Sequence, residues 1–156
     1  AHESISVATH FTSLWRIYAV YGFPAGITED SRTIRNQYGL LYNAGVFSGS
    51  TSLVTEGWKI PNHLGDWDKL RNFLGGDSKV AEALSIAGFV GKPGGRRNAD
   101  EPFAFQEKDE VGYWWFSSVD GHNCWALSIN PSNVSVPQST NTYSRGYGFS
   151  IRFIRQ

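Results

Sequence analysis

The chain has 156 residues, 40% of them hydrophobic, which is enough for one domain with a sizeable core and too few to favour two. Lys plus Arg equals Asp plus Glu at 14 each, so no global field draws it to nucleic acid or to an anionic membrane. The single Cys124 excludes a disulfide framework and any multi-cysteine zinc or iron–sulfur site. No apolar run approaches the roughly 18 residues of a membrane span, and Ala1-His2-Glu3 does not read as a signal peptide.

Six Trp, seven Tyr, ten Phe and 17 Gly, with only 18% charged residues, point to a loop-rich α+β fold. Residues 14–21 carry β-favouring types on both sides and predict a central strand, broken by Gly22-Phe23-Pro24-Ala25-Gly26. Residues 28–37 read as a loop or short helix, 38–43 as a second strand and 45–52 as a loop. Trp67, Leu70 and Leu74 recur at three and four, Phe73 widens the stripe, Asp66 sits early and Gly75-Gly76 supplies a stop, which predicts a helix. A second helix is predicted from Ser78 to about Ile86, capped by Asp77 or Ser78, with Val80, Ala83 and Leu84 inward. Residues 91–100 read as a turn-rich loop and 102–110 as the lead into a sheet.

The last third, residues 112–155, carries the strongest strand signal. Trp125, Leu127 and Ile129 alternate with Ala126, Ser128 and Asn130, giving a dry and a wet side. Val134 and Val136 repeat the pattern, as do Phe149, Ile151 and Phe153. The wet side and its loops are built from small or adaptable hydrogen-bonding residues, a composition suited to gripping a ligand. Trp58, Trp67, Trp115 and Trp125 are expected in the core.

Motifs for chemistry are weak. His2, His10, His63 and His122 are scattered, none at ligand spacing from another His or from Cys124, so no metal site is expected. Structural Ca²⁺ on loop oxygens, with Asp120 and Asn123 as candidate ligands, is left open without being predicted, and no cofactor is expected. Ser117-Ser118, His122 and Cys124 lie close in sequence but form no nucleophile elbow. Asp100, Glu101, Glu107, Asp109 and Glu110 form an acidic stretch that reads first as a solvated loop. Lys92-Pro93-Gly94-Gly95-Arg96-Arg97 lacks the frame of a phosphate loop, and Asn133-Val134-Ser135 is a glycosylation sequon that has weight only in a eukaryotic secreted context.

Several stretches, in order, resemble the Fibrobacter succinogenes major paralogous domain, a family of bacterial, mainly surface or secreted domains. They are Tyr38-Gly39-Leu40-Leu41-Tyr42-Asn43, Glu56-Gly57-Trp58-Lys59-Ile60-Pro61 with Trp67 and Leu70, and Phe73-Leu74-Gly75-Gly76. Gly88-Phe89, Pro93-Gly94-Gly95-Arg96, Gly112-Tyr113-Trp114-Trp115, Ser117-Ser118, Trp125 and the closing residues 148–155 continue the set, which covers roughly three quarters of the chain. The resemblance implies a C-type-lectin-like fold, two helices beside a twisted antiparallel sheet with long irregular loops. Phe153 stands where members often carry Cys, which puts a disulfide in doubt. No catalytic residues are implied, since the enzymatic relatives depend on paired cysteines, and the sugar-and-calcium motifs of lectins are absent.

Some members also resemble variable proteins diversified by retroelements, in which a C-terminal region is rewritten. Here a regular scaffold of large apolar residues, Trp114, Trp115, Trp125, Leu127, Ile129, Val134 and Phe149, alternates with an assortment of types at 120–124, Ala126, Ser128, Asn130, Ser132, Ser135 and 138–145. The resulting expectation is a non-catalytic ligand-binding domain, an adhesin or receptor-binding module. Its contact residues are expected to be Asp120, His122, Asn123, Cys124, Ser128, Asn130, Ser132, Gln138, Thr140, Asn141, Tyr143, Arg145 and Tyr147. The expected partner is a protein or glycan on a cell surface, with no nucleic acid and no membrane insertion, and the expected location is extracellular, the bacterial surface or a phage particle. The alternatives are a carbohydrate-binding or polysaccharide-processing accessory domain using carboxylates of residues 100–110, or a structural surface or pilus subunit.

Overall fold

The computed structural model describes residues 3–4, 17–23, 29–47, 54–76, 79, 92–120, 123–130, 133–135 and 142–156. The predicted second helix lies outside the described residues except for Lys79, as does Val136.

Within them the fold is α+β, with two short α-helices and three small sheets. β1 (Glu3–Ser4), β2 (Ile17–Ala19) and β3 (Leu41–Tyr42) form the first sheet, with β2 central as its two-sided apolar pattern requires. α1 (Arg32–Tyr38) enters β3 and ends at Gly39, whose φ of +80° only glycine adopts without strain. A 3₁₀ turn (Ala44–Phe47) follows. β4 (Trp58–Lys59) pairs with the last strand of the chain, and a π turn (His63–Trp67) runs into α2 (Asp68–Phe73).

β5 (Gly94–Arg97), β6 (Phe105–Lys108), β7 (Gly112–Asp120), β8 (Asn123–Asn130), β9 (Asn133–Ser135) and β10 (Thr142–Ser144) form the main sheet. Its order is β10-β8-β7-β5-β6, with β9 also on β8. β11 (Ile154–Arg155) closes the chain against β4. The predicted strand over 124–130 is β8, and its neighbour at 133–135 is β9.

Four expectations are corrected. The expected turn-rich loop over 91–100 contains a strand at 94–97, because β5 lies inside the sheet, parallel to β7 at Gly95↔Gly112 and antiparallel to β6. Gly95 serves close approach: a Cβ there, at φ +68°, would collide with the Gln106 carbonyl oxygen and meet Tyr21 at 2.8 Å. Phe73 does not extend the buried stripe and is 85% exposed. At 100° per residue it stands well off the line joining Trp67, Leu70 and Leu74. Trp67 is buried, while Trp58 is 40% exposed because β4 and β11 form only a two-stranded ribbon. Phe149, Ile151 and Phe153 do not lie on one continuous strand. Phe149 is fully buried, Ile151 half-buried and Phe153 exposed, as residues 148–150 pass between three strands before β11 begins.

The start of the α2 unit is fixed by reciprocal capping. Asn62 Oδ1 accepts from the N–H of Gly65 at 2.6 Å and of Asp66 at 3.3 Å, while Asn62 N–H donates to Asp66 Oδ2 at 3.0 Å. Lys59 Nζ donates to Asp66 Oδ1 at 2.8 Å. Burial alone would raise the Asp66 carboxyl, but the Lys59 and Asn62 bonds outweigh it and hold it below its ordinary 3.8. A lowered folded value means that this stabilisation is present above 3.8 and is lost as pH falls through the folded value. Asp66→Asn is therefore expected to cost about 1 kcal/mol near neutral pH, with the gap from the parent closing in strong acid, as read by thermal melts across pH.

Candidate functional site

Alternation along β7 sends Tyr113 and Trp115 to one side and Trp114 to the other. Across the ladder Tyr113 pairs with Ser128, Trp115 with Ala126, and Tyr143 with Cys124, so one face collects residues from β7, β8 and β10. The floor of that face is aromatic. Trp115 and Phe149 are fully buried, with ring centroids 4.4 Å apart, and Phe149 stacks on Tyr113 at 4.9 Å and 16°. The half-buried Tyr143 stands edge-on to Phe149 at 5.0 Å, to Tyr147 at 5.8 Å and to Tyr113 at 6.2 Å.

This geometry inverts one expectation. Ala126 was expected on the wet side, yet it is 2% exposed and packs in the cluster with Trp115 and Phe149. The even positions of β8 follow the odd positions of β7, and those carry the aromatic floor. Ser128, two residues along the same face, is half-buried and hydrogen-bonded to Tyr143.

A charged cluster borders the floor. Arg96 lies over the rings of Tyr113 at 5.3 Å and Tyr147 at 5.7 Å, reckoned from Cζ to the centroids. Its Nε approaches Glu107 Oε2 at 3.0 Å without the alignment of a hydrogen bond, so the pair is ionic, and NH2 donates to Gln106 Oε1 at 3.3 Å. Tyr113 OH donates to the same Glu107 oxygen at 2.7 Å. Glu107 holds a φ of +63°, an uncommon conformation for a residue with a Cβ, at the position opposite Gly95.

Of the residues expected to make contact, Ser128, Tyr143 and Tyr147 come together here. Arg145 is half-buried, and its backbone carbonyl accepts from Ala44 N–H at 3.0 Å. Asp120, Asn123, Cys124 and Asn130 are described as ladder positions: Asp120 pairs with Asn123, Cys124 with both Val119 and Tyr143, and Asn130 with Asn133. His122, Ser132, Gln138, Thr140 and Asn141 lie outside the described residues. Sequence reasoning missed Arg96, Glu107 and Tyr113. The available signal was Gly94-Gly95 facing an acidic and aromatic run about ten residues later, a spacing that fits a hairpin.

The carboxylates of residues 100–110 have separate surroundings. Glu107 serves Arg96 and Tyr113, Asp109 bonds Lys108 and the Tyr38 hydroxyl, and Asp100, Glu101 and Glu110 are exposed. Among the described residues no three of His, Cys, Asp and Glu gather as a metal site, and no helix is long and apolar enough to cross a membrane.

The architecture defines an α+β domain whose small antiparallel and mixed sheets carry an aromatic-floored face. The chain belongs to the Fibrobacter succinogenes major domain family, which it matches over residues 19–155. No curated protein and no solved structure matches it.

Burial first, then the bond to Glu107, raises the Tyr113 hydroxyl well above the ordinary tyrosine value of 10.0, with the Arg96 charge opposing. Tyr143 is also raised, first by burial, against Arg96 and the Ser128 bond. Both hold their protons more tightly when folded, so this stability is complete below pH 10.0 and is lost as pH climbs through the raised values. Melts in alkali are expected to fall steeply above that pH. Tyr113→Phe should lessen the fall while costing about 1 kcal/mol near neutral pH.

Proposed function

We propose that this chain is a non-catalytic ligand-binding domain of C-type-lectin-like fold, an adhesin or receptor-binding module acting at a bacterial surface, outside the cell or on a phage particle. Its contact surface is the face that carries Ser128, Tyr143 and Tyr147, with the loops flanking β8 and β10. The observation that supports this reading is the state of the two tyrosines. Each is half-buried, backed by the fully buried Phe149, and fixed by edge-to-face contacts, so little conformational entropy remains to be lost on contact. Rigid amphipathic rings ringed by small hydroxyl residues are what recognition surfaces use as anchors.

The same reading favours retroelement diversification at exposed positions of residues 120–145 and excludes Ala126 from the variable set, since a larger side chain there would collide with the Trp115 and Phe149 layer. The partner is a protein or glycan on a cell surface.

The test is an array of bacterial and host surface glycans and surface proteins, probed with the parent chain and with Tyr143→Phe/Tyr147→Phe. That variant keeps the rings and removes the hydroxyls. Weakening of the parent's contacts by about tenfold, with little change in melting temperature, is the expected outcome. Unchanged binding would remove this face from the reading.

A further inference from the structure

The side of β7 opposite the aromatic floor opens on a different feature. Trp114 and Ser150 line a cleft of about 460 Å³ together with Tyr38, Tyr42, Lys92 and Arg152. A second cavity of about 390 Å³, lined by Thr55 and Trp58, adjoins the first along Ile151, Arg152 and Phe153, which line both, and the two are taken together as a groove. We propose that this groove binds an acidic oligosaccharide, a chain of uronic acid residues, without calcium and independently of the Tyr143 face.

Three features carry the assignment. First, the groove holds flat exposed rings where apolar surface is otherwise costly to leave in water: Trp58 is 40% and Phe153 39% exposed. Arg155 lies over the Trp58 ring at 5.6 Å, which holds the indole in place. Pyranose rings present a C–H face that stacks on such platforms.

Second, the charge is one-sided. Lys92 and Arg152 line the groove and Arg155 borders it, while no Asp or Glu is among the lining residues of either lobe. Asp109, whose carboxylate accepts from the lining residue Tyr38, is also paired with Lys108, and exposed Glu56 lies in sequence between the lining residues Thr55 and Trp58. Lys92 is exposed and has no carboxylate partner among the described residues. Such a lining favours an anionic ligand over a neutral one.

Third, main-chain groups of Gly39, Tyr42 and Ser150, along the first cavity, are already committed. Ser150 N–H donates to Tyr113 O and Ser150 O accepts from Trp115 N–H, both at 3.0 Å. Tyr42 exchanges both its bonds with Phe149, at 2.7 and 3.0 Å, and Gly39 N–H donates to Arg35 O at 2.8 Å. Strand addition at these positions is therefore closed. What remains on offer is side-chain chemistry, namely the rings, the Lys92 ammonium and the Ser150 hydroxyl, which fits saccharide hydroxyls and carboxylates.

The experiment is titration calorimetry of the whole chain, in chelator, with a hexamer of galacturonic acid, with cellohexaose as the neutral arm and hexaglutamate as the peptide arm. The galacturonic hexamer is expected to bind at least about tenfold more tightly than either, and added salt should weaken it. Trp58→Ala and Phe153→Ala should each weaken it about tenfold, and Lys92→Glu about fivefold. All three side chains are exposed, so melting temperatures should stay near the parent's, and Lys92→Glu keeps the test decisive should either ring variant fail to fold. Tyr143→Phe/Tyr147→Phe should bind the hexamer like the parent. The proposal is overturned by absent binding, by equal affinity for cellohexaose, by tighter binding of hexaglutamate, by parent-like affinity in all three groove variants, or by loss confined to the tyrosine variant.

Discussion

Three residues, 148–150, join the main sheet to the N-terminal sheet. Gly148 exchanges both backbone bonds with Arg97 of β5, at 3.0 and 2.9 Å. Phe149 does the same with Tyr42 of β3, and Ser150 bonds Tyr113 and Trp115 of β7. An extended segment points successive N–H and C=O groups to opposite edges, so a single strip can serve the main sheet on one side and the N-terminal sheet on the other. The Phe149 side chain completes the joint by filling the space between them with no exposed surface. Trp115 adds a cross-tie, its indole N–H donating to Tyr42 O at 2.6 Å. The short N-terminal strands have little area of their own, so this seam ties them to the larger six-stranded sheet.

The seam also explains which parts of the fold were legible in the sequence. β8 could be read because alternation over residues 124–130 is a local property of the chain. The stop at Gly75-Gly76 could be read for the same reason, both glycines having positive φ. Which side of β8 faces the core could not be read, because both sides carry candidates and the choice is made by Tyr113, Trp115 and Phe149 from other parts of the chain. The large residues Trp125, Leu127 and Ile129 suggested the wrong answer for Ala126, whose small side chain fits beneath a layer already filled by Trp and Phe. The strand at 94–97 was hidden by its glycines, of which Gly95 is there because neighbouring backbone passes too close for any Cβ.

The aromatic-floored face was legible in part. Ser128, Tyr143 and Tyr147 drew notice as adaptable residues in a C-terminal surface, and they do converge. Their setting depends on residues no local pattern connects to them. Arg96 stacks on two of the rings while balancing Glu107, and Glu107 in turn holds the Tyr113 hydroxyl. Arg96 and the Tyr113 hydroxyl both satisfy the half-buried Glu107 carboxylate, whose desolvation would otherwise be costly. The result is a polar network that orients an aromatic floor, so its geometry is set before any ligand arrives.

A single strand thereby supplies two unlike surfaces. β7 turns Tyr113 and Trp115 towards a packed, nearly neutral aromatic layer, and Trp114 towards a groove edged with cations. Neighbours in sequence act about 180° apart, so changes on one side can be tolerated by the other as long as the shared backbone holds its register. Gly112 leaves room at the start of the strand, since a Cβ there would collide with the Trp114 ring. The Trp114 indole folds back over the glycine, which places the same residue in the wall of the groove and against the first residue of the strand. A strand built this way can keep one surface constant while the loops at the far end of its partners vary.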